Sequence, residues 1–408
     1  MTVFLTILLL LSALGVLHTY VFYPWWLLRK AKGARTRAIP ELAERVRREV
    51  VKRGESWPAV SVLMAAHNEE AVLAEKLASL AAQDYPGELR FFIGSDNSTD
   101  ATNDLLRRAA AEDERFRPTL FTSRQGKPAI INQLAAQAGG DGVYLITDAS
   151  VMLRPDVVTE LVRPMLTDDR IGVVDATMVQ TGARATGIGR AEETYINREV
   201  SLKRAEGLLW GVMIGPFGGC WAMRAAAFTP VPDNFLVDDF FLCMVAYEQG
   251  FRGVSSATAV VEEGVGQSIG DEFRRKVRIS SGNWQNLVRF RRLWWPFWRS
   301  ELAFAFFSHK VLRWWTPFLL LTGLAALAGL AATSRPPGNY LTGLLLEWAV
   351  YGTGVLVLLD LVLSSLGVHF RPARFVRYFL AMNAALLVGF YRYLTGINTN
   401  VWQPSQRH

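Results

Sequence analysis

Short apolar runs alternate with longer, periodic segments between residues 57 and 266. The runs AVSVLMAAH, RFFIGSD, VYLITDAS and IGVVDATMV are rich in Val and Ile, as buried strands are. The segments between them, EEAVLAEKLASLAAQ, ATNDLLRRAAAE and KPAIINQLAAQA, place apolar residues at helical spacing. This alternation predicts an α/β domain with a doubly wound, mostly parallel sheet, whose ligands bind at the carboxyl ends of the strands.

Both ends of the chain carry apolar segments long enough to cross a bilayer, which takes roughly 20 residues. The first covers residues 2–28, and Arg29, Lys30 and Lys32 follow it. Because the charges follow the segment and no small-residue cleavage site is visible, we expect a retained anchor rather than a signal peptide. Further segments predict three C-terminal spans at about 311–333, 341–366 and 376–394.

Two acids interrupt these C-terminal segments, Glu347 and Asp360. A carboxylate that faces lipid is costly, so we expect both to face protein or a polar path. The basic connector 369–377 is predicted to lie on the cytoplasmic side of the membrane and the short connector 335–340 on the outer side, with both chain termini also on the outer side.

The composition supports a membrane protein, since 50% of the 408 residues are hydrophobic and the mean hydropathy is +0.16. The net charge of +7 comes from basic residues clustered beside the apolar ends, which is typical of the positive-inside pattern and unlike a nucleic-acid-binding face. We expect no nucleic-acid partner and a multi-pass integral protein of a bacterial-type inner or plasma membrane. Cys220 and Cys243 lack metal-ligand spacing, so no disulfide framework or zinc site is expected.

Polar and acidic residues recur where the predicted strands end. Each motif alone has an ordinary structural explanation, such as helix capping or a solvated basic face. Because the carboxyl ends of parallel strands meet at one edge of a sheet, we expect these motifs to share a cleft. In chain order they are HNEE (67–70), SDNSTD (95–100), TDAS (147–150), GPFGGC (215–220), VDDF (237–240) and RRKVRISSGNW (274–284).

In this order the motifs resemble those of the family-two glycosyltransferases with a GT-A fold. The resemblance is to the membrane-embedded branch that contains hyaluronan, chitin-oligosaccharide, poly-N-acetylglucosamine and cellulose synthases, and it covers residues from about 57 to 290. It implies an anchor at 1–30, a cytosolic, catalytic GT-A domain at 57–268, interfacial amphipathic helices at 269–309, about three transmembrane helices at 310–395 and a tail at 396–408.

The resemblance also implies how a nucleotide-sugar donor is bound. AAHNEE is similar to the family's first-strand motif, where Glu69 would contact the base. SDNSTD is similar to the family's DDGSTD turn, which places Asp96 facing uracil. The segment GKPAIIN and the QxxRW-like segment RKVRISSGN imply that Lys127, Arg275 and Arg278 neutralise the diphosphate.

The resemblance places the reacting centre at VDDF, which is similar to the family's TED motif. Its final acid, Asp239, would accept the proton of the acceptor hydroxyl while the sugar inverts. Acceptor contacts are implied for Gly218, Cys220, Asp238 and Trp284.

The family's metal-binding DxD motif here reads Asp148-Ala149-Ser150. The resemblance implies that Asp148 binds Mg²⁺ or Mn²⁺, but serine is a poor substitute for a second carboxylate around a hard cation. Either Asp148 and the diphosphate oxygens hold the ion, or the metal dependence is weaker than usual. The QxxRW motif has Ile279 where the family has an acceptor-stacking tryptophan, so the acceptor contacts stay open.

Three functions are compatible with these patterns. The first is a synthase that extends a polysaccharide or oligosaccharide across the membrane, and the second is a single transfer to a lipid such as ceramide, diacylglycerol or a polyprenyl carrier. The third is a non-catalytic, nucleotide-sugar-binding partner subunit. The Trp-rich stretch 291–315 mixes Trp, Phe and Arg as interfacial helices do, which predicts a site at the bilayer surface. The sugar and the oligomeric state are not specified by the sequence.

Overall fold

The computed structural model describes residues 1–33, 57–181, 188–264, 269–333, 339–366 and 370–397. Most of the predicted tail, 396–408, therefore lies outside the described residues, as do the end of the basic stretch 29–37 and the beginning of the connector 369–377.

An eight-stranded mixed sheet forms the centre of the molecule, in the order β3-β2-β1-β4-β7-β6-β8-β5. Strands β1 to β4 pair in parallel, as do β6 and β8, whereas β7 runs antiparallel to β4 and β6, and β5 runs antiparallel to β8. The predicted α/β sheet is confirmed, with β7 inserted antiparallel between β4 and β6 and β5 as an antiparallel edge strand. The strands are β1 Val60–Ala66, β2 Leu89–Asp96, β3 Phe116–Phe121, β4 Val143–Asp148, β5 Val151–Leu153, β6 Ile171–Thr181, β7 Cys220–Arg224 and β8 Arg252–Gly264.

Helices cover both faces of this sheet. Along β1, Leu63 and Ala65 join one apolar core while Val62 and Met64 join the other. This alternation is the period of two that strand geometry imposes, and it explains why β1 is buried along its whole length and apolar except at Ser61. After the N-terminal helix α1 Thr2–Gly33, the helices of this domain are α2 Glu70–Ala81, α3 Thr102–Glu112, α4 Lys127–Ala138, α5 Val157–Thr167, α6 Ile188–Trp210, α7 Asp238–Glu248 and α8 Ile269–Arg289.

Within the described residues, three helices are long and apolar enough to cross a membrane. They are α1, a helix α10 at Glu301–Thr333, and residues Pro372–Leu394 of the last helix. The predicted span 341–366 is helical from Asn339 to Ser365, with a π-helical turn at Trp348–Gly352 like those within α1 and α10. Its apolar part Thr353–Leu363 is shorter than a full span, so this span stays a prediction. The remaining helices are α9 Arg291–Trp294, α11 Asn339–Glu347, α12 Thr353–Ser365 and α13 Arg371–Leu394.

Helix α10 begins at Glu301, before the start that the sequence suggested near residue 311. The side chain of Ser300 caps its first turn by accepting from the backbone N–H of Ala303, and the apolar residues that follow continue the helix. Part of the predicted interfacial segment therefore belongs to a candidate span.

The two interior acids have different surroundings. Asp360 is buried, and its Oδ2 lies 2.7 Å from Nε of Arg377, as expected for an acid that faces protein. Glu347, the last residue of α11, is exposed, as are Leu344, Leu345 and Trp348. Of the two expected surroundings, protein and a polar path, only the polar path stays a prediction for Glu347.

Candidate active site

The predicted donor and catalytic residues lie around the carboxyl edge of the sheet. Asp96 ends β2 and Asp148 ends β4, and both strands pair with β1. Lys127 is the first residue of α4, and Asp239 lies in the first turn of α7. The parallel arrangement of β1, β2 and β4 therefore places the ends of two motifs at one edge.

A charged cluster joins four of these motifs. Lys127 Nζ donates to Asp148 Oδ1 at 2.6 Å. Burial acts to lower the pKa of Lys127, but the carboxylates of Asp148, Asp238 and Asp239 outweigh burial and raise that pKa. Burial lowers the pKa of Arg278 although the same three carboxylates act to raise it, so Arg278 also faces the cluster.

Asp239 is the member of the cluster with the chemistry of a proton acceptor. Burial and then the neighbouring Asp238 carboxylate raise the pKa of Asp239 to about 6, while Lys127 acts to lower it. A carboxylate with this pKa is ionised near neutral pH and is more basic than an exposed one. Asp238 is 6% exposed, and its Oδ2 has no hydrogen-bond partner among the described residues.

Asp96 holds the loop that leads into α4. Its side chain is fully buried and accepts from Nε of Arg124 at 3.0 Å and from the backbone N–H groups of Gln125 at 2.5 Å and Gly126 at 3.2 Å. The carboxylate is thus engaged by protein donors, and because its side chain is fully buried, contact with a nucleotide base requires a neighbouring group to move. Sequence reasoning missed Arg124, whose Nη1 also lies 2.6 Å from Nε2 of His67.

The turn SDNSTD interlocks with the turn HNEE. Asp100 precedes α3 and accepts from the N–H of its first residue, Thr102, at 3.0 Å, and its other oxygen accepts from the N–H of Glu70 at 3.1 Å. Asn97, where the family has glycine, has a φ of 53°, a left-handed conformation that Asn tolerates better than most residues. Glu69 is half-buried beside this junction, and its N–H donates to Oγ1 of Thr102 at 2.9 Å.

The four predicted acceptor residues are not brought together. A Cβ added to Gly218 would lie 2.4 Å from Asp239 Oδ2, so Gly218 and Asp238 border the charged cluster. The Cys220 side chain is fully buried on β7, where burial raises the pKa of the thiol, and it cannot reach an acceptor in this structure. Trp284 is 5% exposed, and its ring centroid lies 4.6 Å from that of Phe390. Trp315 and Phe318 complete this aromatic cluster, which belongs to the candidate spans α10 and α13.

Lys76 is a further residue that sequence reasoning missed. It is completely buried, and its Nζ donates to Oγ1 of Thr147 at 2.9 Å and to the carbonyl of Val151 at 2.5 Å. These two residues flank the Asp148-Ala149-Ser150 turn, so Lys76 fixes both ends of it. Burial lowers the pKa of Lys76 to about 8. A lysine on the apolar face of α2, in register with Leu73, Leu77 and Leu80, was the available signal.

The residues at this turn fit a hard cation only in part. Asp148 offers a carboxylate that is 39% exposed, and Oγ of Ser150 donates to Oε1 of Glu263 at 3.4 Å. Among the described residues, no group of three or more His, Cys, Asp or Glu side chains could hold a metal ion by itself. Oxygen ligands from a bound diphosphate would be needed to complete the coordination of Mg²⁺ or Mn²⁺.

Comparison with known proteins gives matches for both sequence and fold. The family model described as glycosyl transferase family 2 matches residues 61–229. An N-acetylglucosaminyltransferase of Rhizobium leguminosarum bv. viciae is 29% identical over 244 residues, 57% of this chain and 57% of that protein. An N-acetylglucosaminyltransferase of Bradyrhizobium elkanii is 34% identical over 154 residues, 36% of this chain and 82% of that protein.

A solved structure extends the likeness over most of the chain. The mannosyltransferase PcManGT from Pyrobaculum calidifontis, in complex with GDP-Man and Mn²⁺, matches with a TM-score of 0.60 at 20% identity, over 90% of this chain and 99% of that one. This likeness confirms the predicted fold. The chain spans a little over half the length of the first curated relatives that it matches, 57% and 59%.

Proposed function

This chain belongs to glycosyl transferase family 2, and from that membership we propose that it is an inverting glycosyltransferase acting at a membrane surface. It moves a sugar from a UDP-sugar onto a growing oligosaccharide or polysaccharide. The names of the two relatives support N-acetylglucosamine as the sugar. The observation that carries the proposal is the charged cluster of Lys127, Asp148, Asp238, Asp239 and Arg278 at the edge of the sheet.

In the proposed reaction Asp239 is the general base. The acceptor hydroxyl attacks the anomeric carbon, its proton passes to the Asp239 carboxylate, and the new C–O bond forms as the bond to the diphosphate breaks. The diphosphate leaves with the electron pair. One base suffices because inversion is a single displacement, and the paired carboxylates of a glycosidase are not needed.

The basic residues of the cluster stabilise the leaving diphosphate. Lys127 lies at the start of α4, where backbone N–H groups also favour an anion, and Arg275 and Arg278 extend from α8. Asp148 with diphosphate oxygens would hold Mg²⁺ or Mn²⁺, which when bound supplies further charge neutralisation. The Pyrobaculum neighbour, whose structure contains GDP-Man and Mn²⁺, supports a metal of this class.

The nucleotide base of the UDP-sugar is proposed to lie over the interlocked turns HNEE and SDNSTD. Glu69 and Asp96 border this region, and the loop that Asp96 holds leads directly to Lys127. Displacement of the Arg124 guanidinium would free a carboxylate oxygen of Asp96 to accept from the N–H of uracil. Arg124, beside Asp96, would then also belong to the site that binds the UDP-sugar.

Docking of α8 on α13 supports a site at the membrane surface. Oγ of Ser280 donates to the carbonyl of Leu386 at 3.0 Å, and Oγ of Ser281 donates to the carbonyl of Gly389 at 3.1 Å. Helix α8 carries Arg278, and α13 contains a candidate span. The leaving-group side of the cleft is thus attached to a helix that could lie in the bilayer.

A lipid acceptor is the second candidate. It is favoured by Ile279 in place of the family's stacking tryptophan and by the burial of Trp284 against Phe318 and Phe390. The loss of the aromatic platform that this motif supplies in the family suits a single transfer to a lipid hydroxyl.

Incubation of the purified protein in lipid nanodiscs with a panel of labelled UDP-sugars tests the proposal. A ladder of sugars in the mass spectrum supports chain extension, and a lipid carrying one sugar supports the second candidate. Transfer of any sugar contradicts a purely binding subunit, and the lack of product from every donor contradicts the proposed function.

We expect the transfer rate to fall as pH decreases through about 6. The pKa of Asp239 is raised to about 6, so the base is ionised above this pH and protonated below it. The kcat/KM measured from about pH 5 to 8.5 checks this. Asp238→Asn removes a charge that raises the pKa, so it shifts the acidic limb to lower pH. A flat profile in the wild type would contradict the role of Asp239.

Gly218→Ala is expected to lower kcat by about 10- to 100-fold while the protein stays folded. The added methyl group would lie 2.4 Å from Asp239 Oδ2, and the carboxylate must rotate away. Steady-state kinetics and thermal unfolding check both parts. Gly140→Ala is the control, because its added methyl meets no atom within 4 Å. Unchanged kcat in Gly218→Ala would show that the position of this carboxylate does not limit transfer.

A further inference from the structure

A buried carboxylate on α6 connects two candidate membrane helices to the loop 211–219. Glu206 is fully buried. Its Oε1 accepts from the hydroxyl of Tyr23 on α1 at 2.7 Å and lies 2.7 Å from Nδ1 of His309 on α10. Its Oε2 accepts from the backbone N–H of Ile214 at 3.2 Å. One side chain thus contacts three separate parts of the fold.

The loop 211–219 packs directly on the start of α7. Besides the contact of Gly218 with Asp239, a Cβ added to Gly215 would lie 2.7 Å from the ring of Phe240. The backbone of this loop therefore limits where the first turn of α7, and the carboxylate on it, can lie.

A second contact from α6 holds the same loop. Lys203 Nζ donates to Asp175 Oδ2 at 2.5 Å, and Asp175 Oδ1 accepts from the N–H of Phe217 at 2.6 Å. Both Lys203 and Asp175 are buried. Helix α6 therefore orients two backbone amides of the loop, one through Glu206 and one through this ion pair.

Burial of a carboxylate is costly unless hydrogen bonds replace those of water, and an apolar residue would fill the same space without that cost. Three donors from three elements converge on Glu206, so its position depends on all of them. We propose that Glu206 is a positioning residue that transmits the placement of α1 and α10 to the loop 211–219 and thereby to Asp239. This inference rests on the role of Asp239 in the proposed function.

Glu199 provides a matched control on the same face of α6, two turns earlier. It pairs with Lys310, with Nη1 of Arg313 at 2.6 Å and with Nε2 of His309 at 3.0 Å, all on α10. Glu199→Gln therefore weakens the contact between α6 and α10 without removing an acceptor from a loop amide.

The experiment compares wild type, Glu206→Gln and Glu199→Gln, each as the full chain in lipid nanodiscs. Hydrogen exchange followed by mass spectrometry reports on the amides of residues 211–219, and steady-state kinetics report on transfer. In Glu206→Gln we expect exchange at the amides of Ile214, Gly215 and Phe217 to accelerate by about 10-fold or more and kcat to fall by about 10- to 100-fold. The KM for the donor stays within about twofold, since the donor contacts are unchanged. Glu199→Gln leaves both loop exchange and kcat close to wild type.

Unchanged loop exchange in Glu206→Gln, or the same acceleration in Glu199→Gln, overturns the proposal. If Glu206→Gln is not recovered folded, Tyr23→Phe decides in its place, because it removes one donor to Glu206 and nothing else. Faster exchange at residues 214–217 in Tyr23→Phe supports the proposal, and wild-type exchange contradicts it. Should the wild type transfer no sugar, the proposed function fails while the exchange comparison still tests the connection between Glu206 and the loop.

Discussion

Asp239→Asn is expected to lower the rate of sugar transfer by about 10²- to 10⁴-fold, the usual contribution of a general base. Asparagine has nearly the shape of aspartate but cannot accept the proton of the acceptor hydroxyl. Since Lys127, Arg275 and Arg278 are unchanged, the variant should bind UDP about as well as wild type. Single-turnover transfer of labelled sugar and calorimetric titration with UDP measure the two quantities separately.

Two variants make this test specific. Glu248→Gln changes an acid at the other end of α7 that pairs with Arg289 at 2.9 Å, so it should keep wild-type turnover. Asp238→Asn changes the adjacent carboxylate in the cluster and should lower turnover less than Asp239→Asn. Near-wild-type turnover of purified Asp239→Asn, or a larger loss in Asp238→Asn, would assign the proton transfer to another residue.

Local patterns predicted three of the first four strands, and β3 was not among the predicted runs. The strands ending at Ala66, Asp96 and Asp148 follow from short apolar runs that stop at polar turn residues. The helices between them follow from apolar residues three or four positions apart. These signals lie within about a dozen residues of one another, so they are readable before any tertiary contact is known.

Contacts between distant residues set what the sequence did not predict. Strand β7 inserts antiparallel between β4 and β6, and its pairing depends on partners far away along the chain. The sequence motif also selected Trp284 and Cys220 as acceptor contacts, although packing against the candidate spans buries Trp284 and packing within the sheet buries Cys220. A sequence motif therefore indicates which segments lie near the cleft, but it does not specify which of their side chains face it.

The partners of buried polar residues at the site also could not be predicted from the sequence. Lys76 bonds to Thr147 and Val151, more than 70 residues away in the chain. Glu206 bonds to Tyr23 and His309, which are more than 100 residues away, and also to the nearby Ile214. A charged residue on an apolar helical face is visible in the sequence, but its partners are not. For Asp96 the strand-end position was predicted, whereas the three donors of the loop 124–126 that occupy its carboxylate could be seen only in the structure.

Removal of divalent metal is expected to suppress transfer, and Asp148→Ala should lower the rate by about 10²-fold or more. Asp148 is the carboxylate of the DxD position, and it also pairs with Lys127 at 2.6 Å. Its loss leaves Lys127 free to contact the diphosphate, so UDP binding should persist while its dependence on Mn²⁺ declines. Transfer assays with excess chelator, and UDP titrations with and without Mn²⁺, measure both effects.

Ser150→Asp is the complementary variant, because it restores the second carboxylate of the motif. We expect it to tighten Mn²⁺ binding in the presence of UDP by about 10-fold, since an added carboxylate is a strong ligand for a hard cation. The gain is limited by Glu263, which Ser150 now contacts at 3.4 Å and which would repel a second acid. Ser150→Asn, which adds an amide of similar size without charge, is the control. Full wild-type activity in excess chelator, together with unchanged Mn²⁺ affinity in Ser150→Asp, would mean that Lys127, Arg275 and Arg278 neutralise the diphosphate without a metal ion.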